Sequence, residues 1–72
     1  MINYNPFWTT LESSPENWYT LTGKYHISFS TLSRLKNNQF VSLKTINDLC
    51  RILDCRIEDI VVYIPSDTDQ PL

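Results

Sequence analysis

The segment that most restricts the fold of this chain spans residues 42–53, where apolar side chains recur at helical spacing. The apolar positions are Leu43, Ile46, Leu49, Cys50 and Leu53. Side chains separated by three, three, one and three positions lie on one side of an α-helix. We therefore predict an amphipathic helix that begins at Ser42 and buries this stripe against other elements.

The remaining segments are shorter and also favour helices. Asn5-Pro6 suits a helix start, because an Asn side chain accepts free N–H groups and Pro fits the first turn. Ser28 is placed to cap a helix over residues 29–36, and a last helix is expected over residues 57–62. The chain has only one glycine, which disfavours a sheet protein built on tight turns.

These segments predict one all-α domain, because 72 residues are too few for two domains. We expect a compact bundle of about five short helices over residues 1–65. A core of this size supplies only about 3–5 kcal/mol, so the helices must pack closely or the chain must oligomerise. Residues 66–72 are polar and contain proline, and we expect them to form a flexible C-terminal tail.

The segment that follows the first helix allows two structures. Residues 18–22 prefer strands and Gly23 weakens a helix by about 1 kcal/mol relative to Ala, so a hairpin that turns at Gly23 is one interpretation. Alternatively, Trp18, Leu21 and Tyr25 form a core stripe on a helix. Local propensity favours the hairpin, whereas the motif described below favours the helix, and we predict the helix.

Metal, disulfide and membrane chemistry have little support in the sequence. Cys50, Cys55 and the single histidine, His26, are too few ligands for a zinc site. Both cysteines continue an apolar helical pattern, so we expect reduced core thiols and no cofactor. No apolar run approaches the roughly 18 residues of a membrane span. Residues 1–6 lack the basic-then-apolar plan of a secretory signal, and we expect a cytoplasmic protein.

Positive charge is concentrated in one acid-free window, residues 17–47. The window contains no Asp or Glu, and its basic residues are Lys24, Arg34, Lys36 and Lys44, which give it a charge of +4. Residues 1–16 carry −2 and residues 48–72 carry −4, so the formal net charge is −2. The acidic total therefore conceals a stretch that can approach a phosphate backbone.

The acid-free window also contains an ordered motif. Its matching positions are Leu21, Ile27, Ser28, Leu32 and Leu35. In this order and with these gaps they resemble the helix-turn-helix of the phage repressor and Cro (XRE-like) family. Apolar and cap positions between residues 41 and 60 match the later helices of a small phage and mobile-element subgroup. The resemblance covers residues 4–64.

The resemblance implies a lambda-repressor-like DNA-binding domain. Its apolar motif residues would hold two helices at a steep corner, so that the second helix protrudes far enough to enter a major groove. His26 stands where the family has a turn glycine. A left-handed backbone is expected there, at a cost of about 1–2 kcal/mol for a residue with a Cβ.

The resemblance also implies roles for single residues around the helix at about 28–36. Phe29, Ser30 and Arg34 fall where the family's base-reading side chains sit. Arg34 would pair bidentately with guanine, and Phe29 would pack on a thymine methyl group. The positions that would contact phosphate are Asn17, Ser28, Lys36, Asn37, Asn38 and Lys44. Without the resemblance, Arg34 would be an ordinary solvated residue and Phe29 part of an apolar patch.

The implied function is a sequence-specific, repressor-like transcriptional regulator of a phage or mobile element. It would bind a double-stranded DNA operator, as a homodimer in which part of residues 61–64 is buried against the second copy. The alternative is a helix-turn-helix scaffold that binds a protein, as an antirepressor or an inhibitor of a host protein. The low pI and Phe29 at a reading position favour this alternative. The chain has no His/Cys, Ser/His/Asp or paired-carboxylate pattern that would indicate an enzyme.

Overall fold

The computed structural model describes residues 1–69 and 71–72, and it is mostly helical. Its α-helices are α1 (Asn5–Glu12), α2 (Phe29–Lys36) and α3 (Leu43–Leu53). A π-helix and a 3-10 turn complete the helical part, at Thr20–Lys24 and Ile57–Asp59. Within the described residues there are thus four helices and one short 3-10 turn, slightly fewer than the five helices expected. None of these helices combines the length and the apolar composition needed to cross a membrane.

α1 begins where the Asn-Pro signal predicted, but the cap residue differs. Asn5 and Pro6 are the first two helical residues, and Tyr4 is the N-cap. The backbone N–H of Asn5 donates to Oδ1 of Asn3 at 2.8 Å. Asn3, two residues before Asn5, therefore supplies the side-chain acceptor that was expected from Asn5.

The segment that allowed a hairpin or a helix is helical. Trp18 and Tyr19 are α-helical, and the π-helix Thr20–Lys24 follows them. Leu21 is fully buried in the core, and this packing outweighs the local preference for strands. The predicted stripe is only partly correct, because Trp18 is 40% exposed and Tyr25 is half-buried. The wider π-helical turn changes the angle between successive side chains, so a stripe spaced for an α-helix does not stay on one side.

The chain ends in an extended pair rather than a helix. The strand β2 (Val62–Tyr63) pairs antiparallel with β1 (Ile2–Asn3), so that Ile2 faces Tyr63 and Asn3 faces Val62. The helix predicted over residues 57–62 is therefore wrong beyond the 3-10 turn. β-Branched residues suit a strand once a partner is available, and here the partner comes from the opposite end of the chain.

The core lies between α1, the π-helix, α2 and α3. Its buried residues are Tyr4, Phe7, Leu11, Leu21, Leu32, Leu35, Ile46, Leu49, Leu53 and Ile60. Leu43 was expected in the buried stripe of α3, but it is 78% exposed. Helical side chains tilt toward the N-terminus, so the side chain of this first helical residue points beyond the packed part of α3.

Three residues with a left-handed backbone conformation lie at the turn of the motif and after α2 and α3. His26, Asn38 and Asp54 have φ angles of 59°, 54° and 50°. The value at His26 confirms the conformation expected at the turn position. Asn38 and Asp54 follow α2 and α3, where Asn and Asp tolerate this conformation better than most residues with a Cβ.

The domain boundary at residue 65 stays a prediction. The hydroxyl of Tyr63 donates to Oδ2 of Asp69 at 2.9 Å, so part of the predicted tail contacts the domain. This hydrogen bond raises the pKa of Tyr63. Gln70, which belongs to the predicted tail, lies outside the described residues.

The two cysteines meet at the C-terminus of α3 as free thiols. The backbone N–H of Cys55 donates to the carbonyl oxygen of Cys50 at 3.1 Å, across the left-handed Asp54. This is the bond of a Schellman motif, in which the side chains of these two positions come into contact. Burial raises the pKa of the Cys55 thiol to about 11, and the neighbouring Cys50 and Asp59 add to the effect.

We expect Cys55 to be alkylated roughly tenfold or more slowly than a free cysteine at mildly alkaline pH. Only the thiolate reacts, and a raised pKa leaves less of it until the pH approaches about 11. Iodoacetamide labelling followed by trypsin separates the two thiols, because Lys44, Arg51 and Arg56 flank them. The same chain unfolded in guanidinium chloride is the control. The alkylation rate of each thiol is measured over a series of pH values. If the rate for Cys55 in the folded protein had its pH midpoint near the free-cysteine value of about 8.5, the prediction would be contradicted.

Candidate nucleic-acid interface

The corner between the π-helix and α2 has the geometry that the motif predicted. The backbone N–H of Ile27 donates to the carbonyl oxygen of Leu21 at 2.9 Å, which closes the turn through His26. Leu21 and Leu32 are fully buried on the two sides of the corner, and Ile27 packs against the same core. Apolar packing therefore fixes the angle at which α2 leaves the domain.

The outer side of α2 carries every residue expected to contact bases. Leu32 and Leu35 hold the inner side of the helix in the core. Phe29 is 71% exposed, and Ser30 and Arg34 are also exposed. One rigid helix thus presents an aromatic ring, a hydroxyl and a guanidinium on its solvent side. Such a set can contact base edges in a groove.

Asn17 and Ser28 cap the two helices of the motif. Oδ1 of Asn17 accepts the backbone N–H groups of Tyr19 and Thr20 at 2.9 and 3.1 Å. Oγ of Ser28 accepts the N–H of Thr31 at 3.1 Å. These bonds use the side chains as acceptors, so the amide NH₂ of Asn17 and the hydroxyl proton of Ser28 are the groups that can donate to a phosphate.

Asn37 and Asn38 follow the C-terminus of α2, and their side chains form hydrogen bonds there. The side-chain Nδ2 of Asn37 donates to the carbonyl oxygen of Ser33 at 2.9 Å. Oδ1 of Asn38 accepts the backbone N–H of Tyr4 at 2.9 Å. Asn38 therefore ties the end of α2 to the start of α1, a structural role that the motif did not indicate.

The basic residues of the acid-free window differ in their surroundings. Nζ of Lys44 lies 2.8 Å from Oδ2 of Asp48, one helical turn away in α3. Hydrogen bonding to Lys44 holds the pKa of Asp48 below its usual range. Lys24 lies over the Tyr25 ring, 5.1 Å from its centroid. Within the described part of the chain, Arg34 and Lys36 form no ion pair, so no carboxylate partner neutralises the positive charge of α2.

Sequence reasoning missed an open groove beside α2. It has a volume of about 390 Å³ and is lined by Trp18, Tyr19, Thr22 and Phe29. The aromatic residues were visible in the sequence, but only Phe29 was assigned to the interface. The folded corner brings the first helix of the motif against the start of α2, and no local pattern in the sequence shows that contact.

Comparisons with known proteins agree with this geometry. The sequence model described as the Cro/C1-type HTH DNA-binding domain matches residues 17–66. The fold is similar to the crystal structure of the transcriptional regulator VanUg, with a TM-score of 0.79 and 29% sequence identity. The similarity covers 90% of this chain and 87% of that chain. No curated protein matches the sequence significantly. The stretch matched in sequence contains α2 and every residue expected to contact DNA.

Proposed function

The chain belongs to the Cro/C1-type helix-turn-helix DNA-binding domain family, and from this premise we propose that it is a repressor-like transcriptional regulator. It occupies a specific double-stranded DNA operator with α2 in the major groove. The observation that carries the proposal is the exposed side of α2, where Arg34 stands on a helix held by two buried leucines. The function is binding rather than catalysis, and it is exercised in the cytoplasm.

Base contacts come from α2 and backbone contacts come from the residues around it. Arg34 pairs with guanine O6 and N7, while Phe29 and Ser30 contact neighbouring base edges. Phosphate contacts, which set the register of the helix in the groove, come from Asn17, Ser28, Lys36, Asn37, Asn38 and Lys44. To contact a phosphate, Lys44 must first leave its partner Asp48. The Lys44–Asp48 ion pair is exposed, so breaking it costs little.

The regulator acts as a homodimer on two half-sites about 34 Å apart. Support for dimerisation comes from apolar side chains that remain exposed near β2. Val62, Tyr63 and Ile64 are 41%, 62% and 46% exposed. Burial of these side chains against a second copy stabilises a domain whose own core is small. An origin in a phage or mobile element is part of the same proposal.

The test is binding to a randomised duplex DNA pool over a series of salt concentrations. The acid-free window carries four basic residues. Two of them, Lys36 and Lys44, are assigned to phosphate, so log K is expected to fall with log salt at a slope of roughly −2 per monomer. Repeated selection enriches one operator sequence. Failure to find any saturable, salt-sensitive association would reject the proposal.

The second candidate is a protein-binding module on the same fold. The specific observation in its favour is exposed aromatic surface, since Tyr19, Phe29 and Phe40 are 87%, 71% and 81% exposed. Such patches also mark protein interfaces. A stoichiometric protein partner that is recovered equally well after nuclease treatment, without any DNA binding by the purified chain, would favour this candidate.

A paired substitution separates the capping role of Ser28 from its phosphate role. Ser28 and Ser42 cap α2 and α3 with the same geometry, each Oγ accepting an N–H three residues later at 3.1 Å. We expect Ser28→Ala and Ser42→Ala to lose about 1 kcal/mol of stability each. Only Ser28→Ala is expected to lose further DNA affinity, measured by titration well below the melting temperature. Equal losses of affinity in both variants would mean that Ser28 is a cap alone.

A further inference from the structure

The groove beside α2 lies between the N-terminal parts of the two helices of the motif. Trp18, Tyr19 and Thr22 come from the first helix of the motif, and Phe29 is the first residue of α2. Most of its lining is therefore aromatic carbon, with the Thr22 hydroxyl turned back to the carbonyl oxygen of Trp18 at 2.7 Å. The groove is thus an apolar site within the acid-free window.

One wall of the groove, the Trp18 side chain, is supported by other aromatic side chains. The indole of Trp18 stacks on Trp8 with the ring centroids 5.8 Å apart and the planes at 21°. Trp8 in turn meets the fully buried Phe7 edge-on, at 4.8 Å and 72°. A continuous aromatic contact thus runs from the core to Trp18, so this side of the groove is already ordered before a ligand enters.

Charge selects the kind of partner that can approach this groove. All its lining residues lie in the acid-free window of charge +4, which attracts a polyanion and repels a basic surface. In duplex DNA the apolar group displayed in the major groove is the C5-methyl of thymine. An apolar groove at the start of a reading helix complements that group and no other base edge.

We propose that the groove formed by Trp18, Tyr19, Thr22 and Phe29 binds the methyl group of a thymine in each half-site. The inference rests on the proposed function and deepens it. It assigns specificity to Tyr19 on the first helix of the motif, as well as to Phe29 on α2. This contact distinguishes thymine from cytosine and uracil, because both of these bases lack the C5-methyl group.

The probe is the duplex selected by the wild-type protein, with its thymines replaced one at a time by 2′-deoxyuridine. This replacement removes only the methyl group. At one position in each half-site, we expect the replacement to lower the affinity of the protein about fourfold. This factor corresponds to the loss of one buried methyl group. In Phe29→Ala and Tyr19→Ala the thymine and uracil duplexes are expected to bind within about twofold of each other at that position.

Phe40→Ala is the matched control, because Phe40 is as exposed as Phe29 but does not line the groove. It is expected to keep the fourfold preference for thymine. The proposal is overturned if the wild-type protein binds every uracil duplex as tightly as thymine, if the selected operator contains no thymine, or if Tyr19→Ala keeps the full preference. If the wild-type protein binds no duplex at all, the direct titration shows that the proposed function has failed as well.

Discussion

Replacing Phe7 by alanine is expected to leave most of the protein unfolded at room temperature. The Phe7 side chain is fully buried, and it contacts Trp8 edge-on at 4.8 Å. Removal of a buried phenylalanine costs about 3–5 kcal/mol through lost burial and the cavity left behind. A domain of this size has a total stability of about the same amount. Urea unfolding followed by circular dichroism measures the loss.

The matched control for this prediction is Phe40→Ala. Phe40 is 81% exposed, so the same chemical change should alter the free energy of unfolding by no more than about 0.5 kcal/mol. An unfolding midpoint for Phe7→Ala close to that of the wild-type protein would show that α1 contributes little to the core. The fluorescence of Trp8 and Trp18 reports on the same region during the titration.

Replacing Arg34 by alanine is expected to reduce affinity for the selected operator about 10- to 100-fold and to relax the preference for guanine at one position. A bidentate arginine–guanine pair contributes about 1–3 kcal/mol of discrimination. Stability should be unchanged, because Arg34 lies on the exposed side of α2 and forms no ion pair with another described residue. Titrations with the operator and with guanine-substituted duplexes measure both effects.

Lys36→Ala is the control on the same helix. Its loss of affinity should be similar for operator and unrelated duplexes, and the salt slope should fall by about one, as expected for a phosphate contact. An Arg34→Ala protein that still prefers the selected operator as strongly as the wild type does would contradict the assignment of Arg34. A variant that unfolds early would be recognised from its urea midpoint.

The elements that depend on local chemistry were predictable from the sequence. α2 begins after the Ser28 cap and ends at Asn37-Asn38, and α3 lies between Ser42 and the left-handed Asp54, close to the predicted bounds. Caps and helical periodicity involve residues within one or two turns of each other. The family motif added the corner through His26, for which local propensity alone favoured a hairpin.

The larger errors occur where a residue's partner is distant in the chain. Val62–Tyr63 becomes a strand because Ile2–Asn3 lies alongside it. Asn38 acquires a structural role because its side chain accepts the N–H of Tyr4. Leu43 has the periodicity of a core residue, but it is the first residue of α3 and its side chain is 78% exposed.

For the candidate site, the sequence by itself determined which chemical groups are available and how they are spaced along one helix. It placed Arg34 and Phe29 on the outer side of α2 and collected the positive charge into one window. Only the tertiary structure decided which groups are neighbours. It joined Trp18 and Tyr19 to Phe29 in one groove and set Lys44 against Asp48. The physical reason is that helix formation and capping are short-range, whereas burial and grooves arise from contacts between separate segments.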